Sequence, residues 1–220
     1  MIDLSGIAAT LREHGLAIVG GVSRDKGSDL PPSVSTLLLI GADGDQMWEV
    51  FSASPEAADG APDPLDRWSE RVLNASADAS GAHVFFPFGG PPHHPFFSWA
   101  MQAEHARPSP ICLLVSPTRG LWTSYRGALG FERPVALPAM PMEDPCLDCP
   151  APCVTACPVN AFAGQAYDVA ACVTHISGPD GAGCEGGCLA RHACPRGAHP
   201  PLAQRQFHMN AFVASRRHRV

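Results

Sequence analysis

The placement of the cysteines restricts the fold of this chain more than any other feature of its sequence. Eight of the nine cysteines lie between Cys146 and Cys194, in two blocks that each end in Cys-Pro. The blocks consist of Cys146, Cys149, Cys153 and Cys157 and of Cys172, Cys184, Cys188 and Cys194. Because four cysteine thiolates hold one four-iron cluster, eight of them predict two [4Fe–4S] clusters. Metal binding would also supply folding free energy to a segment with few large apolar side chains.

The spacing of the first block is close to that of bacterial ferredoxins. Their run is C-x2-C-x2-C-x3-C-P, and its fourth cysteine binds the other cluster. Here the spacing is C-x2-C-x3-C-x3-C-P, and the added residue lies beside Pro150 and Pro152, where a loop is predicted. Crossed pairing assigns one cluster to Cys146, Cys149, Cys153 and Cys194, and the other cluster to Cys157, Cys172, Cys184 and Cys188.

Two other uses of eight cysteines stay open at this stage. The first is a set of disulfides. We expect a cytoplasmic chain with reduced thiols instead, because the N-terminus lacks a basic region and Glu13 and His14 interrupt the apolar core of any signal peptide. The second is a pair of zinc sites with four cysteines each. Zinc ribbons use paired C-x2-C knuckles, and this chain has one, at Cys146 and Cys149.

Composition argues against two classes of partner. The net charge is −6, whereas binding of nucleic-acid phosphates needs clustered Lys and Arg, so no nucleic acid is predicted. The one basic cluster, Arg216-Arg217-His218-Arg219, is interpreted as a solvated helix end. No apolar run approaches the roughly 18 residues that span a bilayer, so no membrane partner is predicted. The expected partner is a soluble redox protein.

Hydrophobic patterning divides the chain into three parts. Residues 1–140 are predicted to form an α/β (α+β) sheet domain, residues 141–200 a small ferredoxin-like two-cluster module, and residues 201–220 a C-terminal helix with a basic tail. In the first domain, helices are predicted over residues 2–15, 46–53, 64–77 and 95–103, and strands over residues 16–19, 35–40, 82–86 and 111–115. Cys112 falls in the last of these strands, so we expect it to be buried and unreactive.

Two segments of the first domain are candidates for binding a cofactor. Their residues are Phe88, Gly89, Gly90, Trp122, Tyr125 and Arg126. The first three follow a predicted strand, where an aromatic wall and close backbone approach would suit a flat cofactor. The last three offer stacking surfaces and a cation for an anionic group. The structural alternatives are a rigid surface turn for the first segment and a sheet hairpin for the second.

The order of these parts resembles the corrinoid-dependent epoxyqueuosine reductase family. The matching segments are Cys146 to Cys157-Pro158, Tyr167-Asp-Val-Ala-Ala-Cys172-Val-Thr-His-Ile176, and Gly183-Cys184 through Cys188 to Cys194-Pro195. The resemblance implies an N-terminal domain that binds cobalamin, followed by a ferredoxin-like module with two [4Fe–4S] clusters. The last block departs from the family's C-x2-C-x3-C-P. The family's acidic motif and its helical tRNA-binding repeats have no counterpart here, so tRNA modification is not expected.

Three functions follow as hypotheses. The first is an electron-transfer protein that carries two [4Fe–4S] clusters. The second is a reductase with a corrinoid or flavin in the N-terminal domain. The third is an interaction module held together by zinc, without redox activity. The sequence leaves open whether the chain is itself an enzyme.

Overall fold

A computed structural model describes residues 2, 4–26, 29–137, 139–164 and 166–217. The chain divides into two compact units, the first formed by Met1–Ala106 with Thr123–Met142 and the second by Arg107–Trp122 with Glu143–Val220. The sequence placed the end of the first domain at residue 140, close to the boundary at Met142. It did not anticipate that Arg107–Trp122 belongs to the second unit.

Strands and helices alternate irregularly along the chain. The strands are β1 Leu16–Ser23, β2 Thr36–Ala42, β3 His83–Phe85, β4 Arg107–Pro108, β5 Leu114–Val115 and β6 Tyr125–Phe131. The α-helices are α1 Leu4–Glu13, α2 Gln46–Ser52, α3 Pro55–Ala58, α4 Pro64–Ser80, α5 Phe96–Ala103, α6 Pro152–Thr155, α7 Val169–Ser177, α8 Ala182–Glu185, α9 Leu189–His192 and α10 Leu202–Arg217. Short 3-10 helices cover Arg24–Lys26 and Pro179–Gly181. Among the described residues, no helix is both long enough and apolar enough to cross a membrane.

The first unit is built on a four-stranded sheet with the order β1-β2-β6-β3. All three pairings are antiparallel, so the α+β form of the predicted fold class is confirmed and a parallel α/β sheet is excluded for this unit. Every residue of β2 is buried. Because successive side chains of a strand point to opposite faces, both faces of the sheet are covered at this strand. Helices α1, α4 and α5 pack against the strands.

Helix α4 shows how local sequence sets these elements. Pro64 occupies the first turn, where its missing N–H costs no helical hydrogen bond. Gly81 ends the helix with φ +67°, a left-handed conformation that glycine adopts without strain. Between them, Leu65, Trp68 and Val72 are buried on the face toward the core. Helix α4 is therefore the predicted helix, extended by one turn at its C-terminal end.

The sequence did not predict β6, although this strand lies inside the sheet between β2 and β3. Gly127 and Gly130 interrupt its apolar pattern. A Cβ atom at Gly127 would clash with Leu73, and one at Gly130 would clash with Phe85. These glycines allow other groups to approach the strand closely, which is a common role of glycine inside strands.

The second unit has short helices and a small apolar core. Its buried cluster consists of Ile111, Val115, Leu121, Cys153, Phe162 and Ala190. Half of these residues come from Arg107–Trp122, which supplies apolar side chains that the cysteine-rich segment lacks. Gly120, at φ +58°, comes against the Arg196 backbone so closely that a Cβ atom could not fit. Helix α10 contacts α7 and α8, and residues 218–220 of the predicted basic tail lie outside the described residues.

The predicted strand over residues 111–115 is wrong for most of its length. Ile111 to Leu113 form a turn that is closed by a hydrogen bond from the Cys112 N–H to the Ser109 carbonyl oxygen (3.0 Å). Only Leu114–Val115 is extended, paired with β4 in a separate two-stranded sheet. Cys112 is exposed and has φ +61°, so the prediction that it is buried is also wrong. The Ser109-Pro110 pair turns the chain before the apolar run begins, since both residues favour turns.

Candidate metal centres

Four cysteines of the second unit surround a first cavity. Cys146, Cys149, Cys153 and Cys194 line a space of about 80 Å³ together with prolines and small apolar residues. Cys153 is buried, and the other three are partly buried. The structure thus brings together three cysteines of the first block and the last cysteine of the second block.

Backbone geometry explains how the first block curls around this cavity. The Cys149 N–H donates a hydrogen bond to the Cys146 carbonyl oxygen (3.2 Å). Asp148 and Ala151 have φ of 59° and 51°, which are left-handed conformations that turn the chain sharply. Pro152 then begins α6, on which Cys153 lies. The three cysteines come to one side of a tight loop because of these turns.

The other four cysteines surround a second cavity. Cys157, Cys172, Cys184 and Cys188 line a space of about 180 Å³. Cys172 lies on α7, which Asp168 caps by accepting a hydrogen bond from the Ala171 N–H (2.9 Å). Cys184 lies on α8 and Cys188 stands at the N-cap of α9. Three short helices thus present three of the four sulfurs.

Aromatic side chains form much of the wall of the second cavity. Trp122 and Phe162 are buried there. The Tyr167 ring stacks between Phe162, at 4.7 Å, and Phe212 of α10, at 6.2 Å between ring centroids. The Tyr167 hydroxyl lies beside the Cys172 sulfur and lowers the pKa of that thiol. Burial is the main reason that the pKa of Tyr167 lies above its usual value, so the phenol keeps its proton.

The electrostatics of the thiols follow the same division into two groups of four. Burial raises the pKa of the thiols of Cys146, Cys153, Cys172 and Cys184. Neighbouring thiolates raise these pKa values further, and in each case they belong to the same group of four. Several thiolates in one small cavity repel one another, so their ionisation calls for a bound cationic centre.

The sulfurs are distributed around the cavities and do not converge on one point. Among the described residues, no three His, Cys, Asp or Glu side chains meet closely enough to hold a single metal ion. Zinc would require four sulfurs at about 2.3 Å from one ion. All nine cysteines are described, and all are free thiols without disulfides.

A cationic side chain that sequence reasoning missed lies beside the second group. Arg191, on α9, lines the second cavity, and its guanidinium carbon stands 4.1 Å from the centre of the Trp122 ring. Its Nε donates a hydrogen bond to the Leu121 carbonyl oxygen (2.9 Å). Burial lowers the pKa of Arg191, and the Cys188 thiolate opposes this decrease. The sequence feature that could have identified Arg191 is its position, three residues from both Cys188 and Cys194.

The residues proposed from sequence for an organic cofactor fall in different places. Trp122 lies in the second unit, whereas Phe88, Gly89, Gly90, Tyr125 and Arg126 lie in the first unit. The Tyr125 hydroxyl donates to Glu104 Oε2 (2.6 Å). Phe88 stacks on Phe86, with 5.2 Å between ring centroids.

Arg126 has a structural role that the sequence did not indicate. It is buried, donates from Nε to Ser69 Oγ (2.9 Å), and pairs with Asp66 at 2.5 Å. Because Ser69 and Asp66 of helix α4 already bind the Arg126 guanidinium, this side chain is not a free cation for an anionic ligand. The corrinoid or flavin hypothesis stays a prediction.

No protein-family model matches the chain, and a comparison with curated proteins finds no match.

Proposed function

We propose that this chain is an electron-transfer protein that binds two [4Fe–4S] clusters. One observation carries the proposal: the eight block cysteines divide into two groups of four, each around its own cavity. This grouping agrees with the crossed pairing expected for two clusters in which each block supplies a ligand to the other. The proposed partner is a soluble protein that gives or takes single electrons.

The donor set fits the proposed clusters in three respects. Each cavity has four cysteines, which is the number of ligands that one [4Fe–4S] cluster needs. Each set of four lines a cavity, so a cluster would occupy the space that its ligands surround. Backbone donors also lie at the sulfurs: the Ala161 N–H donates to Cys157 Sγ (3.4 Å), and the Leu189 N–H lies beside Cys184.

The residues around the cavities would hold the ligands in place and limit access of water. When bound, the clusters supply one-electron chemistry, with potentials that depend on hydrogen bonds to sulfur, net charge and solvent exposure. Trp122 and Phe162 are buried and give the second cavity an apolar wall. The Tyr167 hydroxyl lies beside the Cys172 sulfur, to which it would donate a hydrogen bond when that sulfur is a thiolate ligand.

Metal and sulfide analysis of the protein purified without oxygen tests the proposal directly. We expect about eight iron and about eight sulfide per chain, together with visible absorption that bleaches when dithionite is added. About two zinc per chain, with no iron or sulfide, would contradict the proposal and favour a zinc-stapled module.

Single cysteine variants test the division into two groups. Cys194→Ala is expected to lose one cluster, so that iron falls from about eight to about four per chain. The electron paramagnetic resonance (EPR) spectrum of its reduced form should match that of Cys146→Ala. Cys157→Ala should match Cys172→Ala instead.

The exposed Cys112 provides the control for these variants. Cys112→Ala should keep the full iron content. A Cys194→Ala spectrum that matched Cys172→Ala would show that the proposed pairing is wrong.

A further inference from the structure

The two groups of cysteines differ in the charges around them. Among the described residues that line the cavity of Cys146 and its partners, none is Arg, Lys or His. The cavity of Cys188 and its partners is lined by Arg191, Arg205, His175 and His208. One cavity therefore has a neutral wall apart from its thiols, and the other has a cationic wall.

The cations of the second cavity are bound to neutral groups. Arg205 donates from Nε to the Pro200 carbonyl oxygen (2.9 Å) and from a terminal nitrogen to the Gly186 carbonyl oxygen (2.5 Å), and it also contacts His192. Arg191 donates to the Leu121 carbonyl oxygen (2.9 Å). No ion pair with a carboxylate is found for either arginine among the described residues. Partly buried cations of this kind are costly unless an anion lies nearby, and the group beside Arg191 that would become an anion on binding a cluster is Cys188.

Carboxylates do not cancel this difference. Asp144 lies beside Cys146 and accepts a hydrogen bond from its N–H (2.9 Å). Asp168 lies beside Cys172, where its carboxylate accepts a hydrogen bond from the Ala171 N–H (2.9 Å), and it is exposed like Asp144. A second exposed acid adjoins a cysteine in each group, Asp148 next to Cys149 and Glu185 next to Cys184, so each group has two. Arg196, next to Pro195 near the first group, is also exposed, so water and salt screen its charge.

A phenol adds to the same asymmetry. Tyr167 lines the same cavity as Cys172, and its hydroxyl would donate a hydrogen bond to that sulfur when it binds a cluster. Hydrogen bonds to cluster sulfurs and positive charges near them both stabilise the more negative, reduced state.

From these contacts, and resting on the proposed function, we infer that the site of Cys157, Cys172, Cys184 and Cys188 has the higher reduction potential of the two, and that Arg191 sets this order. An electron that a low-potential donor protein delivers to the site of Cys146 would then move to the site of Cys188. This transfer moves one electron, with no bond made or broken and no proton transferred. The second site is therefore the end from which electrons leave the protein.

The test is a redox titration of the iron-loaded full chain, followed by EPR, for the wild type and three variants. Arg191→Met should decrease the reduced-to-oxidised ratio of the higher-potential site about tenfold at a fixed potential, which equals about 59 mV for one electron. Arg191→Lys keeps the charge and should retain most of the wild-type potential. Asp144→Asn removes a charge beside Cys146, so it should raise the lower potential. This shift would show that the lower potential belongs to the site of Cys146.

Three results would overturn the inference. The first is a shift of the lower potential in Arg191→Met, the second is no shift of either potential in that variant, and the third is the same shift in Arg191→Lys as in Arg191→Met. If Arg191→Met fails to take up iron, Tyr167→Phe provides the second measurement. It should lower the higher potential in the same direction by a smaller amount, and no shift would count against the inference.

Failure of the inference can be distinguished from failure of the proposed function. Wild-type protein without iron and sulfide would contradict both. Wild-type protein with both clusters, whose higher potential does not respond to Arg191→Met and Tyr167→Phe, would contradict only the inferred order.

Discussion

Trp68, Trp99 and Phe51 are almost completely buried in the first unit, and so is every residue of strand β2. The second unit buries no tryptophan to that degree among its described residues, and its core cluster has six members, one of them a cysteine. Three of its helices, α6, α8 and α9, have four residues each. Helices this short are not stable by themselves. The first unit is thus stabilised by apolar burial, whereas the proposed function makes the second unit depend on the clusters that its cysteines would bind.

We therefore expect the two units to respond to different perturbations. Loss of apolar contacts should weaken the first unit without affecting metal content. Loss of metal should weaken the second unit without affecting the sheet.

Removal of iron should have the largest effect. We expect the iron-free chain to lose the amide hydrogen-exchange protection of α7 and α10, because under the proposed function metal binding would supply the folding free energy of this unit. Amides of β2 and β6 should stay protected. Hydrogen exchange followed by mass spectrometry measures both, with the iron-loaded protein in the same buffer as the control. Protected amides in α7 of the iron-free chain would contradict the comparison.

A cavity in the first unit should have the next largest effect. Trp68 is 1% exposed, so Trp68→Ala should decrease the free energy of unfolding of the first unit by about 3–5 kcal/mol. Urea unfolding monitored by circular dichroism measures the change. Iron and sulfide content should remain at the wild-type level.

Phe97 offers a matched control, because it is an aromatic residue of the same unit that is 51% exposed. Phe97→Ala should change the free energy of unfolding by no more than about 0.5 kcal/mol. A Trp68→Ala variant that lost iron while its unfolding midpoint was unchanged would show that the comparison is wrong.

Loss of an ion pair on the first unit should have the smallest effect on stability. Arg71 donates from Nε to Glu56 Oε1 (2.6 Å), and this hydrogen bond lowers the pKa of Glu56 from 4.5 to about 2. Because the pKa is lower in the folded state, the stabilisation is present above pH 4.5 and is lost as the pH falls toward 2. Arg71 is half exposed, so Glu56→Gln should cost only about 0.2–1 kcal/mol at pH 7.

Urea unfolding at several pH values measures this difference. The wild type and Glu56→Gln should converge as the pH falls toward 2, because protonation then removes the same charge from the wild type. Glu70→Gln, at an exposed position of α4, serves as the control. A difference that grew as the pH fell would contradict the assigned role of Glu56.

Local sequence patterns predicted the elements whose signals lie within one segment. The apolar face, Pro64 and Gly81 of α4 are such signals, and so is the continuous apolar run of β2. The cysteine blocks likewise predicted eight thiol ligands in two sets of four, since the residue type itself limits the chemistry. The α+β class followed from the mixture of these elements.

Only the tertiary structure decided the features that depend on distant residues. Strand β6 lies inside the sheet because Gly127 and Gly130 admit Leu73 and Phe85, and no pattern within the strand reports those neighbours. Arg126 is buried against Asp66, 60 residues away along the chain. Arg107–Trp122 joins the second unit, where it adds apolar side chains to a segment that has few.

The cysteine types and spacings were thus readable from the sequence, and the charges around them were not. An arginine in a cysteine block carries no information about which sulfurs it faces. Folding places Arg191 over the Trp122 ring, beside Cys188, while Asp144 remains in solvent beside Cys146. The number of thiolate ligands is a local property of the chain, whereas the electrostatic environment of each group arises from packing between segments distant in sequence.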